Sequence, residues 1–386
     1  MMDVAFRAGA QGYQEAGLSL KASALNLSRL GAISAFCYSV LCLVAGPVSD
    51  RIGRKASAAL ACLGLALAYV LAGLAGSIDR LLVLSILSGS SGAFFWPAIQ
   101  AWIADLSGRG RRRLAHRLGL FNVAWSAGLT VGPTYIGFVW ASGAALGLSQ
   151  RIAFWSTAGL VLLIAAIALG TRTRPVDPDP VAENDHQEAR AHPHQASLLF
   201  GARVGTFASW FAVGVIVSLF PKLAAELGYD ERMRGVLASC YHVGQFGLFA
   251  FALRPGTWQL RRWPLVLALG LSMVGMLSLV WARSPLHFGL VFLIAGACAS
   301  VAYTASLFHS LHGRVEDRGK LAGIHEAVLA SGSFLSPLIA GFLAEYISLR
   351  APFVLVGVVL AGGIVAQIVA WRVCAAGEVV AKPREY

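Results

Sequence analysis

The sequence predicts an all-α polytopic membrane protein with two pseudo-symmetric six-helix bundles. Three observations predict this class: apolar runs of lipid-spanning length, a scarcity of charge, and an internal repeat. Of the 386 residues, 57% are hydrophobic and only 13% are charged, whereas roughly 25% of residues are charged in soluble domains. Such a chain cannot cover a water-soluble surface, which excludes a secreted domain, a DNA-binding protein and an ordinary cytosolic enzyme.

Eleven apolar runs are long enough to cross a membrane, because a helical span needs about 20 such residues. They lie near residues 29–48, 56–76, 81–104, 118–140, 152–170, 200–221, 233–253, 264–282, 287–308, 321–343 and 351–373. Each run is predicted to be a helix, since open backbone hydrogen bonds are not tolerated in lipid and the runs are too long and uniformly apolar for barrel strands.

Basic residues are distributed unevenly between the connections. The segments that follow the odd-numbered runs hold 20 of the 31 Lys and Arg residues. The positive-inside rule assigns these segments to the cytoplasm. The net charge of +12 is therefore a topology signal, and no nucleic-acid partner is expected. The prediction is a monomeric multi-pass protein of the plasma membrane (the bacterial inner membrane), with the lipid bilayer as its surroundings.

The longest polar stretch, residues 171–199, is rich in Pro and charge and predicts a flexible cytoplasmic linker. It separates an N-terminal transmembrane bundle (1–170) from a C-terminal one (200–386). Three linker histidines could bind a metal, but a solvated linker is the preferred interpretation; they are His186, His192 and His194. The six cysteines show no CxxC spacing, so neither a metal nor another cofactor is expected.

A shift of 204 residues superimposes part of the chain on itself. Five glycine, proline and phenylalanine positions coincide, namely Gly119 with Gly323, Gly128 with Gly332, Pro133 with Pro337, Gly137 with Gly341 and Phe138 with Phe342. Such self-similarity indicates a duplicated bundle. The repeat leaves the first half one helix short, before residue 29. Polar residues interrupt that stretch, so we expect either a chain that begins late, which is the preferred interpretation, or a degenerate first helix.

The residues Gly46–Lys55 read GPVSDRIGRK. This GxxxDRxGRK string resembles the loop between helices two and three of the major facilitator superfamily. The glycines and proline of the run 118–140 resemble the antiporter motif on helix five of that superfamily, with Ile136 where glycine is usual. The resemblance covers nearly the whole chain, and it implies a transporter in which two bundles rock around a cavity near the membrane midplane. The family's helix numbers are used below.

The resemblance implies a gate on the cytoplasmic side. Asp50 would lie at the N-terminus of helix eleven, near Leu321, where the helix dipole favours an anion. Arg54 would pair with Asp105. The residues of this gating motif are Gly46, Asp50, Arg51, Gly53, Arg54, Lys55 and Asp105. The alternative is that the basic residues only set the topology.

The helix-five motif comprises Gly119, Gly128, Gly132, Pro133 and Gly137. Small residues allow helices to approach closely, and we expect Gly128 and Gly132 to face a helix of the other bundle. Within the family this pattern is more frequent in exporters than in importers. The alternative is ordinary small-residue packing.

Polar and aromatic side chains on helices four, five, seven, eight and ten predict a substrate cavity for an amphipathic organic molecule. The candidates are Trp96, Gln100, Asn122, Trp125, Trp210, Tyr241, Gln245, Tyr303 and Ser306. Three titratable residues at membrane depth are candidates for proton coupling: His242, His325 and Glu326. His242 is predicted near the midplane and the other two near the cytoplasmic gate. Ser85 and Ser88 stand where the resemblance expects an arginine and a glutamine, which leaves the coupling ion open.

These features predict a secondary active transporter of a small organic solute, exporting it by proton antiport. Two alternatives remain: a receptor or scaffold that does not transport, and a facilitated importer of a sugar or metabolite. An ATP-driven pump is disfavoured because the chain has no GxxxxGK[ST] motif. A membrane enzyme is disfavoured because no HExxH-like pair or carboxylate cluster occurs in a span, so the prediction is that the protein is not an enzyme.

Overall fold

The computed structural model describes residues 1–107, 111–171, 195–252, 258, 261–311 and 318–381. These residues form twelve α-helices: α1 Met2–Ser19, α2 Ala24–Ile52, α3 Arg54–Ala72, α4 Ile78–Ser107, α5 Arg111–Ala144, α6 Ser149–Gly170, α7 Gln195–Glu226, α8 Glu231–Ala252, α9 Trp263–Ser278, α10 Pro285–Leu311, α11 Arg318–Tyr346 and α12 Ala351–Ala381. Within the described ranges, nine of them are long and apolar enough to cross a membrane. The all-α multi-pass architecture is therefore confirmed.

The structure has a helix before residue 29, where either a late start of the chain or a degenerate first helix was expected. Met2–Ser19 forms α1, and the eleven predicted spans coincide with α2 to α12. The polar side chains of α1 face protein, since Asp3, Gln11, Gln14 and Glu15 are each at most 7% exposed. A hydropathy criterion assumes lipid around the helix and does not recognise such a segment.

The packing preserves the 204-residue repeat. A Cβ atom at Gly128 would lie 2.5 Å from Asp3 Cβ in α1, and one at Gly332 would lie 2.6 Å from the Phe207 carbonyl oxygen in α7. Asp3 and Phe207 are themselves 204 positions apart. The pair α1–α5 in the first half is thus repeated as α7–α11 in the second, with the same register.

The two halves meet where α5 packs against α8 and α2 packs against α11. Gly137 and Gly235 permit the first crossing, because a Cβ on either would come within 2.5 Å of a backbone oxygen on the opposite helix. At the second crossing a Cβ on Gly341 would lie 2.0 Å from Ser28 Oγ. Gly137 and Gly341 are repeat equivalents, so both crossings use the same small-residue position.

The helix-five motif divides its contacts between two neighbours. Gly128 and Gly132 face α1 of the same half, where a Cβ on Gly132 would lie 2.7 Å from Arg7 Cβ. Gly137 and the Pro133 carbonyl oxygen instead meet α8 of the other half. The expectation that Gly128 and Gly132 face the other bundle is corrected, because the helix that contacts them is α1, which the hydropathy pattern did not reveal.

Candidate functional site

A cavity of about 230 Å³ lies between the two halves of the molecule. Its lining residues come from α1, α2, α3, α4, α5, α7, α8, α10 and α11. This volume lies just below the roughly 300–1,000 Å³ that is typical of small-molecule pockets. Because helices of both halves line it, any movement of one half relative to the other changes its shape.

Stacked aromatic rings form one wall of the cavity. Trp125 of α5 stacks on Trp210 of α7 and on Tyr303 of α10, with ring centroids 5.9 Å apart in both pairs. Phe249 closes the group from α8, 6.2 Å from Trp125 and 5.4 Å from Tyr303. Offset aromatic stacks bury large apolar areas and accept planar guests, so this wall suits an aromatic or other flat apolar group.

The sequence-predicted cavity residues fall into two groups. Those that line the cavity are Trp96, Gln100, Trp125, Trp210 and Tyr303. Those outside its lining are Asn122, Tyr241, Gln245 and Ser306: Tyr241 borders a separate void of about 10 Å³, Gln245 contacts His242, and Ser306 lies 2.8 Å from His325. The structure adds Asp3, Arg7 and Gln14 of α1, and it places Glu326 at the cavity as well.

Arg7 and His242 connect the two halves at the cavity. Arg7 Nε donates to His242 Nε2 over 3.1 Å, and Arg7 Nη2 lies 2.7 Å from the same nitrogen. His242 Nδ1 lies 2.8 Å from Gln245 Oε1. Because Arg7 is in α1 and His242 in α8, these bonds cross from one half to the other.

The geometry fixes the protonation of His242 in this state. A guanidinium has no acceptor, so Nε2 must be the lone-pair nitrogen and the ring proton must lie on Nδ1. From there it donates to Gln245 Oε1. A second proton can attach to Nε2 only if Arg7 leaves. The bond between the halves and a proton on Nε2 therefore exclude each other.

The other two candidates for proton coupling occupy different surroundings. Glu326 lines the cavity, where the Gln100 side chain hydrogen-bonds its carboxylate. This position is deeper than the cytoplasmic gate that the sequence analysis expected, because α11 begins at Arg318 and Glu326 is eight residues inside it. His325 instead faces α10, with Nδ1 2.8 Å from Ser306 Oγ and its ring against Tyr303.

A buried ion pair joins α1 and α8 on the predicted outer side. Arg234 Nε donates to Glu15 Oε1 over 3.0 Å, and a second bond joins Arg234 Nη2 to Glu15 Oε2. Gln11 Nε2 also donates to Glu15 Oε1, and Glu231 lies 3.4 Å from Arg234. This bidentate pair, here called the outer ion pair (Glu15 and Arg234), holds the two halves together at that end.

Two weaker contacts close the same end. Lys222 Nζ donates to the Ala22 carbonyl oxygen over 3.0 Å, and Glu345 Oε2 accepts from the Leu25 amide over 3.1 Å. Both join residues of opposite halves. Together with the outer ion pair they close the cavity toward the outer side.

The GPVSDRIGRK loop forms the turn between α2 and α3. Gly53 links the two helices with φ +91°, a conformation that favours glycine. Arg54 forms an ion pair with Asp50 and lies 2.5 Å from Ser49 Oγ, while the Lys55 ammonium lies 5.6 Å from the Trp102 ring. The side chains of Asp105 and Leu321, which the implied gate requires, lie outside the described part of the structure, as does Gly46.

We expect Trp125→Ala to lower the affinity of the purified protein for aromatic solutes by about tenfold, because the substitution removes an aromatic surface on which a solute ring would pack. Calorimetric titration measures the affinity. Trp281→Ala is the matched control, since Trp281 is 77% exposed and lies outside the lining. Equal affinities of the two variants would contradict a binding role for this wall.

The fold and the cavity define a class of protein: a multi-pass membrane transporter with its site between two repeated halves. The family model of the Major Facilitator Superfamily matches residues 11–204 and again residues 202–384. The chain belongs to this superfamily, so it is a transporter of small molecules and not an enzyme.

Curated relatives share low identity over most of their length. Multidrug resistance protein 1 of Bacillus subtilis (strain 168) is 25% identical over 352 residues, covering 87% of this chain and 85% of the relative. Multidrug resistance protein MdtG of Escherichia coli O9:H4 (strain HS) is 26% identical over 328 residues, covering 82% and 77%. A bacterial homologue of the human lysosomal transporter Spinster has a similar solved structure, with a TM-score of 0.70 at 15% identity, covering 96% of this chain and 95% of that one.

Proposed function

We propose that this transporter exports small amphipathic organic solutes in exchange for protons, acting as a monomer in the bacterial inner membrane. The observation that carries the proposal is the Arg7–His242 contact at the cavity. The names of the multidrug resistance relatives support export.

An exchanger must reorient when it carries either ligand and must not reorient when empty. In this structure Arg7 binds His242 and joins the two halves. A proton on His242 Nε2 breaks this contact, because Nε2 can no longer accept from Arg7. A solute that engages Arg7 would also break it. Each ligand alone would thus remove this contact between the halves at the cavity, as obligatory exchange requires.

We expect His242→Gln to lose proton-driven export and to retain solute exchange. The glutamine offers Arg7 an acceptor oxygen but cannot take up a proton in this pH range. Export is measured in cells against a panel of drugs, dyes, sugars and metabolites, with and without a protonophore. A compound found there is then followed in proteoliposomes, by uphill transport under a pH gradient and by solute counterflow without one.

His325→Gln is the matched control, because His325 contacts α10 of its own half and does not join the halves. Uphill transport should survive in it. If protonophore-sensitive export survives in His242→Gln but is lost in Glu326→Gln, the residue that carries the coupling proton is Glu326 and not His242. Higher accumulation in expressing cells would indicate an importer, and no effect on any compound would favour a receptor or scaffold.

A further inference from the structure

We infer that Arg7 is an anion-binding subsite, so that the transported solute is an aromatic or otherwise flat apolar molecule carrying a carboxylate. This inference rests on the proposed function and names its substrate class. It follows from how Arg7 is bonded in the cavity and from the apolar wall beside it.

Arg7 is an incompletely satisfied cation. Two of its N–H groups converge on the single lone pair of His242 Nε2, although a guanidinium presents a planar fork of several donors. Among the side chains that the structure describes, the ion pairs of carboxylates are made with other arginines, Arg54 and Arg234. A carboxylate matches the fork in a bidentate geometry and forms stronger, charge-assisted bonds than a neutral imidazole does. An anionic ligand should therefore displace His242 from Arg7.

Two further polar groups belong to the residues that line this cavity and the adjoining void. Trp210 Nε1 and Tyr241 Oη are buried and have no hydrogen-bond partner among the described residues. Trp210 lines the same cavity as Arg7, and Tyr241 lines the adjoining void with it. The aromatic wall of Trp125, Trp210 and Tyr303 then takes up the apolar part of the molecule.

Two acidic side chains at the cavity argue against an anionic ligand and make a cationic ligand the alternative. Glu326 lines the cavity but accepts a hydrogen bond from Gln100. Asp3 lines it one helical turn before Arg7, and its Oδ1 has no described partner. If these groups dominated the field in the cavity, a cationic ligand would bind in preference to an anionic one.

Three probes with one naphthyl skeleton separate these cases: naphthylacetate, naphthylacetamide and naphthylethylamine. Their affinities are measured by calorimetric titration of the purified full-length protein without a pH gradient. We expect naphthylacetate to bind at least about tenfold more tightly than the amide. Arg7→Gln should weaken naphthylacetate binding by about 10- to 100-fold and leave the amide unchanged. Arg7→Lys should give an intermediate affinity, because it keeps the charge and loses the fork.

Arg29→Gln is the matched control, an exposed arginine on α2 that contacts Asn26, and it should bind all three probes as the parent does. Equal or tighter binding of the amide or the amine, no binding of any probe, or an unchanged naphthylacetate affinity in Arg7→Gln would overturn the inference. If Arg7→Gln does not fold, the order of the three probe affinities in the parent protein and the naphthylacetate affinity of Arg7→Lys test the inference instead. Proton-driven export of the amine alone would leave the proposed function standing and refute this subsite.

Discussion

Replacing Arg234 by glutamine should open the outer end of the transporter. The substitution leaves the Glu15 carboxylate buried with only Gln11 as a hydrogen-bond donor, and removing one partner of a buried ion pair costs about 3–5 kcal/mol. An outward-open state returns Glu15 to water and avoids this cost. The equilibrium should therefore shift by two orders of magnitude or more toward that state.

Spin labels at positions 29 and 346 lie on the outer ends of α2 and α11. The shift toward the outward-open state should move the distribution of distances between the two labels to longer values. Both native side chains, Arg29 and Tyr346, are exposed. Glu345→Gln is the matched control, since Glu345 also joins the halves on this side but through an exposed contact, which contributes little. The double variant that carries both Glu15→Gln and Arg234→Gln should recover most of the population of the state closed on the outer side. An unchanged distance in Arg234→Gln would refute the role of the outer ion pair.

Gly235→Ala should have a comparable effect for a steric reason. The new Cβ would lie 2.4 Å from the Pro133 carbonyl oxygen and 3.1 Å from its carbonyl carbon. Both atoms belong to the backbone of α5, which cannot rotate away as a side chain can. Overpacking of this kind costs about 1–3 kcal/mol, and separation of α5 from α8 relieves it. We expect loss of the closed state and slower transport.

Gly247→Ala provides the control on the same helix. A Cβ at Gly247 meets nothing within 4 Å, so it should leave transport intact and raise the free energy of unfolding by roughly 0.5–1 kcal/mol through helix propensity. The thermal midpoint and the spin-label distances of both variants test this pair. A Gly235→Ala protein that closes normally would show that α5 and α8 separate more easily than the contact implies.

The apolar runs made most of the architecture predictable, because lipid imposes helices of a known length. The aromatic residues of the cavity were also accessible: Trp96, Trp125, Trp210 and Tyr303 stood out as polar-tipped or bulky groups on helices that the resemblance placed inside. The sequence could not show that Tyr241 and Ser306, unlike those four residues, lie outside the cavity lining. Whether these two side chains line the cavity depends on the direction they face, which is set by the rotation of each helix within the bundle.

The largest omission was α1 and, with it, Arg7. Hydropathy rejected this segment because of its polar residues, yet these residues carried the missing signal. Asp3, Arg7, Gln11 and Glu15 recur at every fourth position, so they share one face of a helix. A polar stripe of this kind on an otherwise small and apolar helix indicates a span that faces a cavity and partner helices. The resemblance expects an arginine on helix four, where this chain has Ser85; an arginine that does line the cavity is Arg7 of this stripe.

The same stripe binds α8 twice. Arg7 and Glu15 are eight residues apart on α1, and their partners His242 and Arg234 are eight residues apart on α8. Eight residues span about 12 Å of helix, so both contacts require the two helices to keep one common register. Inserting a single residue between Arg7 and Glu15 would rotate one relative to the other by about 100°. Insertions and deletions between Arg7 and Glu15 should thus be far less tolerated than substitutions. A substitution of Arg7 or Glu15 should be accompanied by a substitution of its partner, His242 or Arg234.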